Sequence, residues 1–133
     1  MEIAPLVVLA DDQEEMLKTI VQILGDEFDV VGTAENGTQA VELATKLSPD
    51  VVVLDIAMPV LNGIEAACRL RTLSSSARVI FLTVHMDSEF VEAALAAGAL
   101  GYVVKPSLAT DLVPAIWAAM EGNTFISPSM QLQ

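Results

Sequence analysis

Acidic, basic and hydroxyl side chains stand directly after apolar runs of this sequence, where a buried strand would end. Asp11 and Asp12 follow the run LVVLA, and Asp55 follows VVVL. Thr83 follows VIFL and Lys105 follows YVV. Carboxylate oxygens suit Mg²⁺, and an aspartate can act as a nucleophile that forms an acyl phosphate. These residues indicate metal-dependent phosphoryl chemistry, provided that the fold brings them together.

Such a cluster needs a cation. Carboxylates about 4 Å apart repel each other by a few kcal/mol per pair at an effective dielectric of about 20. Mg²⁺ is the expected cofactor, because it takes oxygen ligands and often also holds a phosphate. Zinc is disfavoured, since His85 is the sole histidine and Cys68 the sole cysteine. The Lys105 ammonium and the Thr83 hydroxyl would stabilise the phosphoryl oxygens.

The elements that must position these residues follow from the hydrophobic pattern. Short continuous apolar runs predict strands at Leu6–Ala10, Val30–Gly32, Val51–Leu54, Val79–Leu82 and Tyr102–Val104. Continuous rather than alternating runs are typical of parallel strands that are covered on both faces. Apolar residues at helical spacing predict five intervening helices, at about 16–24, 40–47, 64–70, 90–97 and 108–121.

The order strand–helix, repeated five times, predicts a doubly wound α/β domain with right-handed crossovers. In such sheets ligands bind beyond the carboxyl ends of the strands. Asp11, Asp12, Asp55, Thr83 and Lys105 all lie at such ends, so they are expected to form one site. Pro114 falls inside the fifth predicted helix, where a missing N–H and a ring clash would kink it.

The composition narrows the class of protein. The 133 residues suit one domain, and the net charge of −12 argues against binding of nucleic acid by this chain alone. The longest apolar stretch, 93–104, is too short to cross a bilayer and contains Gly98 and Gly101. The first residues lack the basic region of a secretory signal. We therefore expect a soluble cytoplasmic protein without a membrane partner.

Four blocks of the sequence, LADDQE, LDIAMPVLNG, FLTV and GALGYVVKP, resemble the signature of the response-regulator receiver domain of two-component signalling. The segment AGALGYVVK followed by EGNTFISP is most similar to receivers of the NarL/FixJ type. The resemblance implies a flavodoxin-like, five-stranded parallel sheet of order 2-1-3-4-5 with five helices. The receiver domain would span residues 1–126, and 127–133 would be a linker or C-terminal tail.

The resemblance also implies roles for individual residues. Asp55 would accept a phosphoryl group from a sensor histidine kinase, and Lys105 would contact the phosphoryl oxygens. Mg²⁺ would be held by Asp11, Asp12, Asp55 and the backbone carbonyl of Ala57. Thr83 and Tyr102 would be the switch residues.

Phosphorylation would shift the face formed by the fourth helix, fifth strand and fifth helix. That face would control an output domain or a partner, with transcription as the expected output. A homodimer could form on phosphorylation, and DNA would be bound only through an output domain absent from this chain. The domain would catalyse its own phosphoryl transfer and dephosphorylation without being a turnover enzyme.

Three features depart from the family pattern, and one of them is Pro114 inside the fifth predicted helix. Val84 is larger than the residue usual after the threonine, and Pro106 follows Lys105 where many relatives of the subgroup have aspartate. Two alternatives remain open. One is a Mg²⁺-dependent aspartyl-phosphate phosphatase or phosphotransferase, although haloacid-dehalogenase-like enzymes carry a D-x-D motif after the first strand rather than Asp11-Asp12. The other is a receiver-fold interaction module that takes no phosphate.

Overall fold

The fold was taken from a computed structural model, which describes residues 3–131. Its strands are β1 (Leu6–Ala10), β2 (Asp29–Ala34), β3 (Val51–Leu54), β4 (Arg78–Thr83), β5 (Gly101–Val104) and β6 (Phe125–Ile126). Its helices are α1 (Glu14–Leu24), α2 (Gly37–Leu47), α3 (Gly63–Thr72), α4 (Ser88–Ala96), α5 (Leu108–Met120) and α6 (Pro128–Gln131). Short 3₁₀ turns occupy Gly25–Glu27 and Lys105–Ser107.

The strands form one parallel sheet in the order β2-β1-β3-β4-β5-β6. The predicted flavodoxin-like architecture and the order 2-1-3-4-5 are confirmed. The predicted number of elements is wrong, because β6 and α6 extend the fold to six strands and six helices within the described residues. Two residues are too few to give a periodic signal, so β6 is recognisable only from its pairing with β5.

The sheet is covered on both faces, as the continuous apolar runs predicted. Alternate strand residues point to opposite faces and enter separate cores. Val53 and Leu82 pack in the core with α1 and α5, whereas Val52 and Phe81 pack in the core with α2, α3 and α4. All four side chains are at most 1% exposed. This double burial fixes the strand ends that carry the candidate site.

Helix α5 runs through Pro114 without interruption, and the proline ring lies on its exposed face. Within residues 3–131, none of the helices combines the length and hydropathy that a membrane span requires.

The segment after β6, which was predicted to be a linker or tail, packs against the domain. The proposed domain boundary lies at residue 126, yet Ser127 is fully buried and Met130 is 8% exposed. The Ser127 N–H donates to the carbonyl of Tyr102 at 2.9 Å, which continues the pairing of β6 with β5. Polar composition suggested a linker here, but hydrogen bonds to the edge of the sheet and the apolar Met130 side chain keep the segment on the domain.

Candidate functional site

Backbone pairing brings the two central aspartates to the same edge of the sheet. The Asp11 N–H donates to the carbonyl of Ala34, the last residue of β2, at 3.0 Å. The Asp55 N–H donates to the carbonyl of Ala10, the last residue of β1, also at 3.0 Å. The parallel ladder thus continues one residue beyond each strand, and both carboxylates emerge at the carboxyl edge.

Four of the predicted site residues converge there. Carboxylate oxygens of Asp11, Asp12 and Asp55 all lie within 4.8 Å of one another. Lys105 Nζ lies 2.9 Å from Asp11 Oδ2 and 3.0 Å from Asp55 Oδ2. Asp11 is 1% exposed and Asp55 5%, whereas Asp12 is exposed to solvent. The arrangement is a half-open acidic cluster with one ammonium group bridging its two buried members.

Backbone donors orient the two buried carboxylates. Asp11 Oδ1 accepts a hydrogen bond from the Gln13 N–H at 2.8 Å, and Asp55 Oδ1 accepts one from the Ala57 N–H at 3.3 Å. The carbonyl of Ala57 as a metal ligand stays a prediction.

The second carboxylate oxygen of Asp11, Oδ2, can accept a further ligand. The Lys105 ammonium is in hydrogen-bonding geometry with Asp55 Oδ2, but Asp11 Oδ2 is buried and has charge contact without an aligned donor. A buried carboxylate oxygen normally has a hydrogen bond or a cation as its partner. Together with the three converging carboxylates, this oxygen fits the ligand set of a hard divalent cation such as Mg²⁺.

The charges of the cluster are strongly coupled. Burial raises the pKa of the Asp55 carboxyl above its ordinary value of 3.8, and the nearby charge of Asp11 adds to the rise. The hydrogen bond and positive charge of Lys105 oppose this rise without cancelling it. Burial lowers the pKa of Lys105, but its contacts with Asp11 and Asp55 outweigh that effect and raise it above 10.5. Lys105 therefore stays charged, while ionised Asp55 is unfavourable without a further cation.

This electrostatic cost predicts a pH-dependent stability. Since the folded state raises the Asp55 pKa, the protonated carboxyl stabilises the metal-free fold below about pH 4, and this contribution is lost as the pH rises through the raised pKa. We therefore expect Asp55→Asn to raise Tm without divalent metal at pH 7, and to raise it less at pH 4. Thermal unfolding in EDTA measures the difference, with the exposed Asp26→Asn as the control for one lost charge. An Asp55→Asn gain that does not grow with pH would contradict the assignment.

The loop after β3 is held against Asp55 by tight backbone packing. The Gly63 N–H donates to the carbonyl of Ile56 at 2.9 Å, and a Cβ at Gly63 would lie 2.0 Å from the carbonyl oxygen of Asp55. Asn62 and Glu65 form a capping box at the start of α3, with reciprocal bonds of 2.9 and 3.2 Å. The spacing N-x-x-E before an apolar helix was a readable signal for this cap. The close approach at Gly63 carried no such signal.

Gly63→Ala is expected to destabilise the fold by about 3 kcal/mol, because backbone atoms rather than a flexible side chain obstruct the new methyl group. Chemical denaturation measures this loss. The matched control is Gly32→Ala, whose methyl group would meet the movable ends of Leu43 and Leu47 at 3.3 Å or more. Equal effects of the two substitutions would show that the backbone contact does not constrain the Asp55 loop.

The two predicted switch residues are joined through the loop after β4. Thr83 is fully buried, and its hydroxyl oxygen accepts a hydrogen bond from the His85 N–H at 3.2 Å. Tyr102 is also fully buried, and its hydroxyl donates to the His85 carbonyl at 2.7 Å. The His85 ring stacks on Phe90 with centroids 4.2 Å apart. Burial, with a smaller contribution from Asp87, raises the pKa of Tyr102 to about 12, so the phenol remains a donor.

Comparison with known proteins identifies the family to which the chain belongs. The family profile described as response regulator receiver domain matches residues 7–117. The chain is 38% identical over 129 residues to the nitrate/nitrite response regulator protein NarL of Escherichia coli (strain K12), covering 95% of this chain and 60% of that protein. It is 37% identical over 130 residues to the transcriptional regulatory protein LnrK of Bacillus subtilis (strain 168), covering 96% of this chain and 59% of LnrK.

Solved structures give the same result. A LuxR-family two-component response regulator from Aurantimonas sp. SI85-9A1 superimposes with a TM-score of 0.92 at 32% identity, covering 98% of this chain and 94% of that one. The isolated REC domain of RcsB from Salmonella enterica serovar Typhimurium, in the presence of phosphomimetic BeF3−, gives 0.88 at 27% identity, covering 98% of each chain. This chain spans about 59% of the length of LnrK and about 60% of that of NarL.

Proposed function

Because this chain belongs to the response regulator receiver domain family, with transcriptional regulators among its relatives, we propose that it is a phosphorylation-dependent signalling switch. Asp55 accepts a phosphoryl group from a sensor histidine kinase. The observation that carries the proposal is the bridging position of Lys105, whose Nζ lies 3.0 Å from the Asp55 carboxylate and 2.9 Å from that of Asp11. Asp12 completes the acidic cluster.

In the transfer step, a carboxylate oxygen of Asp55 attacks the phosphorus atom. The new O–P bond forms as the N–P bond of the donor phosphohistidine breaks, and the electron pair of the broken bond stays on the imidazole nitrogen. As negative charge shifts from the carboxylates to the phosphoryl oxygens, the Lys105 ammonium contacts those oxygens, where positive charge stabilises the transition state most. Burial of Asp55 limits the access of water to the acyl phosphate.

Mg²⁺ is the proposed cofactor, held by Asp11, Asp12, Asp55 and the Ala57 carbonyl. Two features support this set: the carboxylate oxygens lie within 4.8 Å of one another, and the buried Asp11 Oδ2 has the Lys105 ammonium, 2.9 Å away, as a charge partner without an aligned donor. When bound, the ion would neutralise the carboxylates and the phosphoryl oxygens, and so reduce the repulsion between the acidic site and an anionic donor.

The output is proposed to follow from Thr83 and Tyr102. Rotation of the Thr83 side chain to donate its hydroxyl hydrogen to the phosphoryl group would move the oxygen that accepts from the His85 N–H, and Tyr102 holds the carbonyl of the same residue. The loop after β4 would therefore change its population of states, and with it the face formed by α4, β5 and α5. The apolar side chains of Val84, just after β4, and Leu95, in α4, are 61% and 39% exposed.

The signalling context is part of the same proposal. The receiver would act in the cytoplasm, where a kinase could phosphorylate it, and would control transcription through an output domain or dimerise on phosphorylation. Because the chain carries a net charge of −12, contact with DNA would belong to that output domain. Residues 1–126 remain the proposed receiver unit, with the packed residues up to Met130 attached to it.

Mass spectrometry tests the proposal. The chain is incubated with Mg²⁺ and acetyl phosphate, whose O–P bond breaks with acetate as the leaving group. We expect one phosphoryl adduct, mapped to Asp55 and dependent on Mg²⁺. Continuous hydrolysis of varied phosphate esters would favour the phosphatase alternative instead. The absence of any adduct, from both acetyl phosphate and a phosphorylated histidine kinase, would favour the interaction module.

A further inference from the structure

A buried polar contact outside the acidic cluster joins Ser127, just after β6, to the end of β5 and the start of α5, on either side of the turn that carries Lys105. The Ser127 hydroxyl donates to Asp111 Oδ2 at 2.8 Å and accepts from the Val104 N–H at 3.1 Å. Ser127 is fully buried and Asp111 is 9% exposed. The Ser127 N–H also donates to the carbonyl of Tyr102 at 2.9 Å. We refer to the contacts of Ser127 with Asp111 and Val104 as the Ser127 bridge.

The Ser127 bridge spans the segment that holds Lys105. Val104 ends β5 and directly precedes the 3₁₀ turn Lys105–Ser107, while Asp111 lies in the first turn of α5 just beyond it. One hydroxyl therefore ties together both ends of this turn. Thr110 adds local contacts at the start of α5, because its hydroxyl lies 3.1 Å from both the Ser107 carbonyl and Asp111 Oδ1.

The chemistry of the bridge suits a positioning role. An extra backbone pair would have needed another strand residue opposite Val104, but β6 ends at Ile126. The Ser127 side chain takes the place of that partner, and the Asp111 carboxylate fixes the direction of its O–H. Since donor and acceptor are both buried, loss of either group would leave a polar atom without a partner and loosen the turn.

We propose that Asp111 and Ser127 are positioning residues for Lys105, so that the C-terminal segment forms part of the phosphorylation site. This inference rests on the proposed function of Asp55. By fixing both ends of the Lys105 turn, the bridge holds the ammonium against Asp55 and Asp11. Coupling between two sites is reciprocal, so release of the segment after β6 weakens phosphorylation, and phosphorylation changes how firmly that segment is held.

Three variants test the proposal: Ser127→Ala, Asp111→Ala and Asp111→Asn. Ser127→Ala removes both contacts of the bridge and Asp111→Ala removes the contact with Ser127, whereas Asp111→Asn retains an acceptor oxygen. We expect Ser127→Ala and Asp111→Ala to slow phosphorylation of Asp55 by acetyl phosphate about tenfold at saturating Mg²⁺, because the misplacement of one catalytic group is costly. Asp111→Asn is expected to restore most of the rate. The Mg²⁺ dissociation constant, measured by calorimetry, should not rise, because the proposed ligands lie outside the bridge and a loosened Lys105 competes less for their oxygens.

The matched control is Asp50→Ala. Asp50 Oδ2 accepts from the Leu6 N–H at 2.8 Å, and so bonds a backbone donor as the bridge does, but at the opposite edge of the sheet. Its loss should lower Tm without slowing phosphorylation. The inference is overturned if Ser127→Ala slows phosphorylation no more than Asp50→Ala, or if Mg²⁺ affinity falls in parallel with the rate. Failure of the wild-type chain to form an adduct would refute the proposed function instead.

Discussion

Asp55→Asn is expected to abolish the phosphoryl adduct completely, both with acetyl phosphate and with a phosphorylated histidine kinase. The neutral amide cannot form an acyl phosphate, because that product requires a nucleophilic carboxylate oxygen. Asp11 is more deeply buried than Asp55 and lies just as near to Lys105, but its proposed role is to hold the metal ion. Intact-mass spectrometry in the presence of Mg²⁺, followed by peptide mapping, measures the result.

Asp50→Asn is the control for this loss. Asp50 directly precedes β3, and Asp55 directly follows it, so the two substitutions differ in the end of the strand that they change. The Asp50 variant should be phosphorylated like the wild type. If Asp55→Asn still carried one phosphoryl group on Asp11 or Asp12 at the wild-type rate, the proposed acceptor would be wrong.

Lys105→Met is expected to slow phosphorylation by about 10²–10³-fold, the size of effect seen when one donor to transition-state charge is removed. The same substitution should strengthen Mg²⁺ binding. Lys105 Nζ lies within 3.0 Å of both Asp11 and Asp55, so it competes with a metal ion for the same oxygens. Without either cation, two buried carboxylates face each other unpaired, and Tm in EDTA should fall.

Opposite changes in rate and metal affinity distinguish this role from general damage to the site. Stopped-flow phosphorylation and calorimetric Mg²⁺ titration measure the two quantities in the same preparation. Lys18→Met is the control, because Lys18 is exposed and makes a 3.8 Å surface pair with Glu14. It should change neither quantity. Weaker Mg²⁺ binding by Lys105→Met would contradict the bridging role.

Much of the fold was readable from local pattern. The limits of β1 and β3 agree with the apolar runs, and β2, β4 and β5 each extend beyond the predicted ends by one or two residues. The extra residues include Asp29 and Arg78, whose charged side chains interrupt the apolar pattern although their backbones pair with the neighbouring strands. Strand β6 was missed for a different reason, since two residues paired to β5 are too few to show a period of their own.

The positions of Asp11, Asp12, Asp55 and Lys105 followed from one rule of topology. Parallel strands with short connections place their carboxyl ends together, so residues just after the apolar runs must share an edge of the sheet. The position of Thr83 followed from the same rule, the switch roles of Thr83 and Tyr102 came from the family resemblance, and their link through the backbone of His85 came from the structure. A contact to a backbone atom leaves no trace in the type of the residue that supplies it.

The sequence by itself determined the class of fold, the acidic site and the family, because apolar runs and strand-end polar residues are local patterns. The tertiary structure decided how the site is braced. Lys105 bridges two carboxylates, Gly63 packs on the Asp55 backbone, and Ser127 closes the turn that carries Lys105. These contacts join residues far apart in the chain at distances of a few ångströms, and composition and periodicity report only on neighbours along the chain.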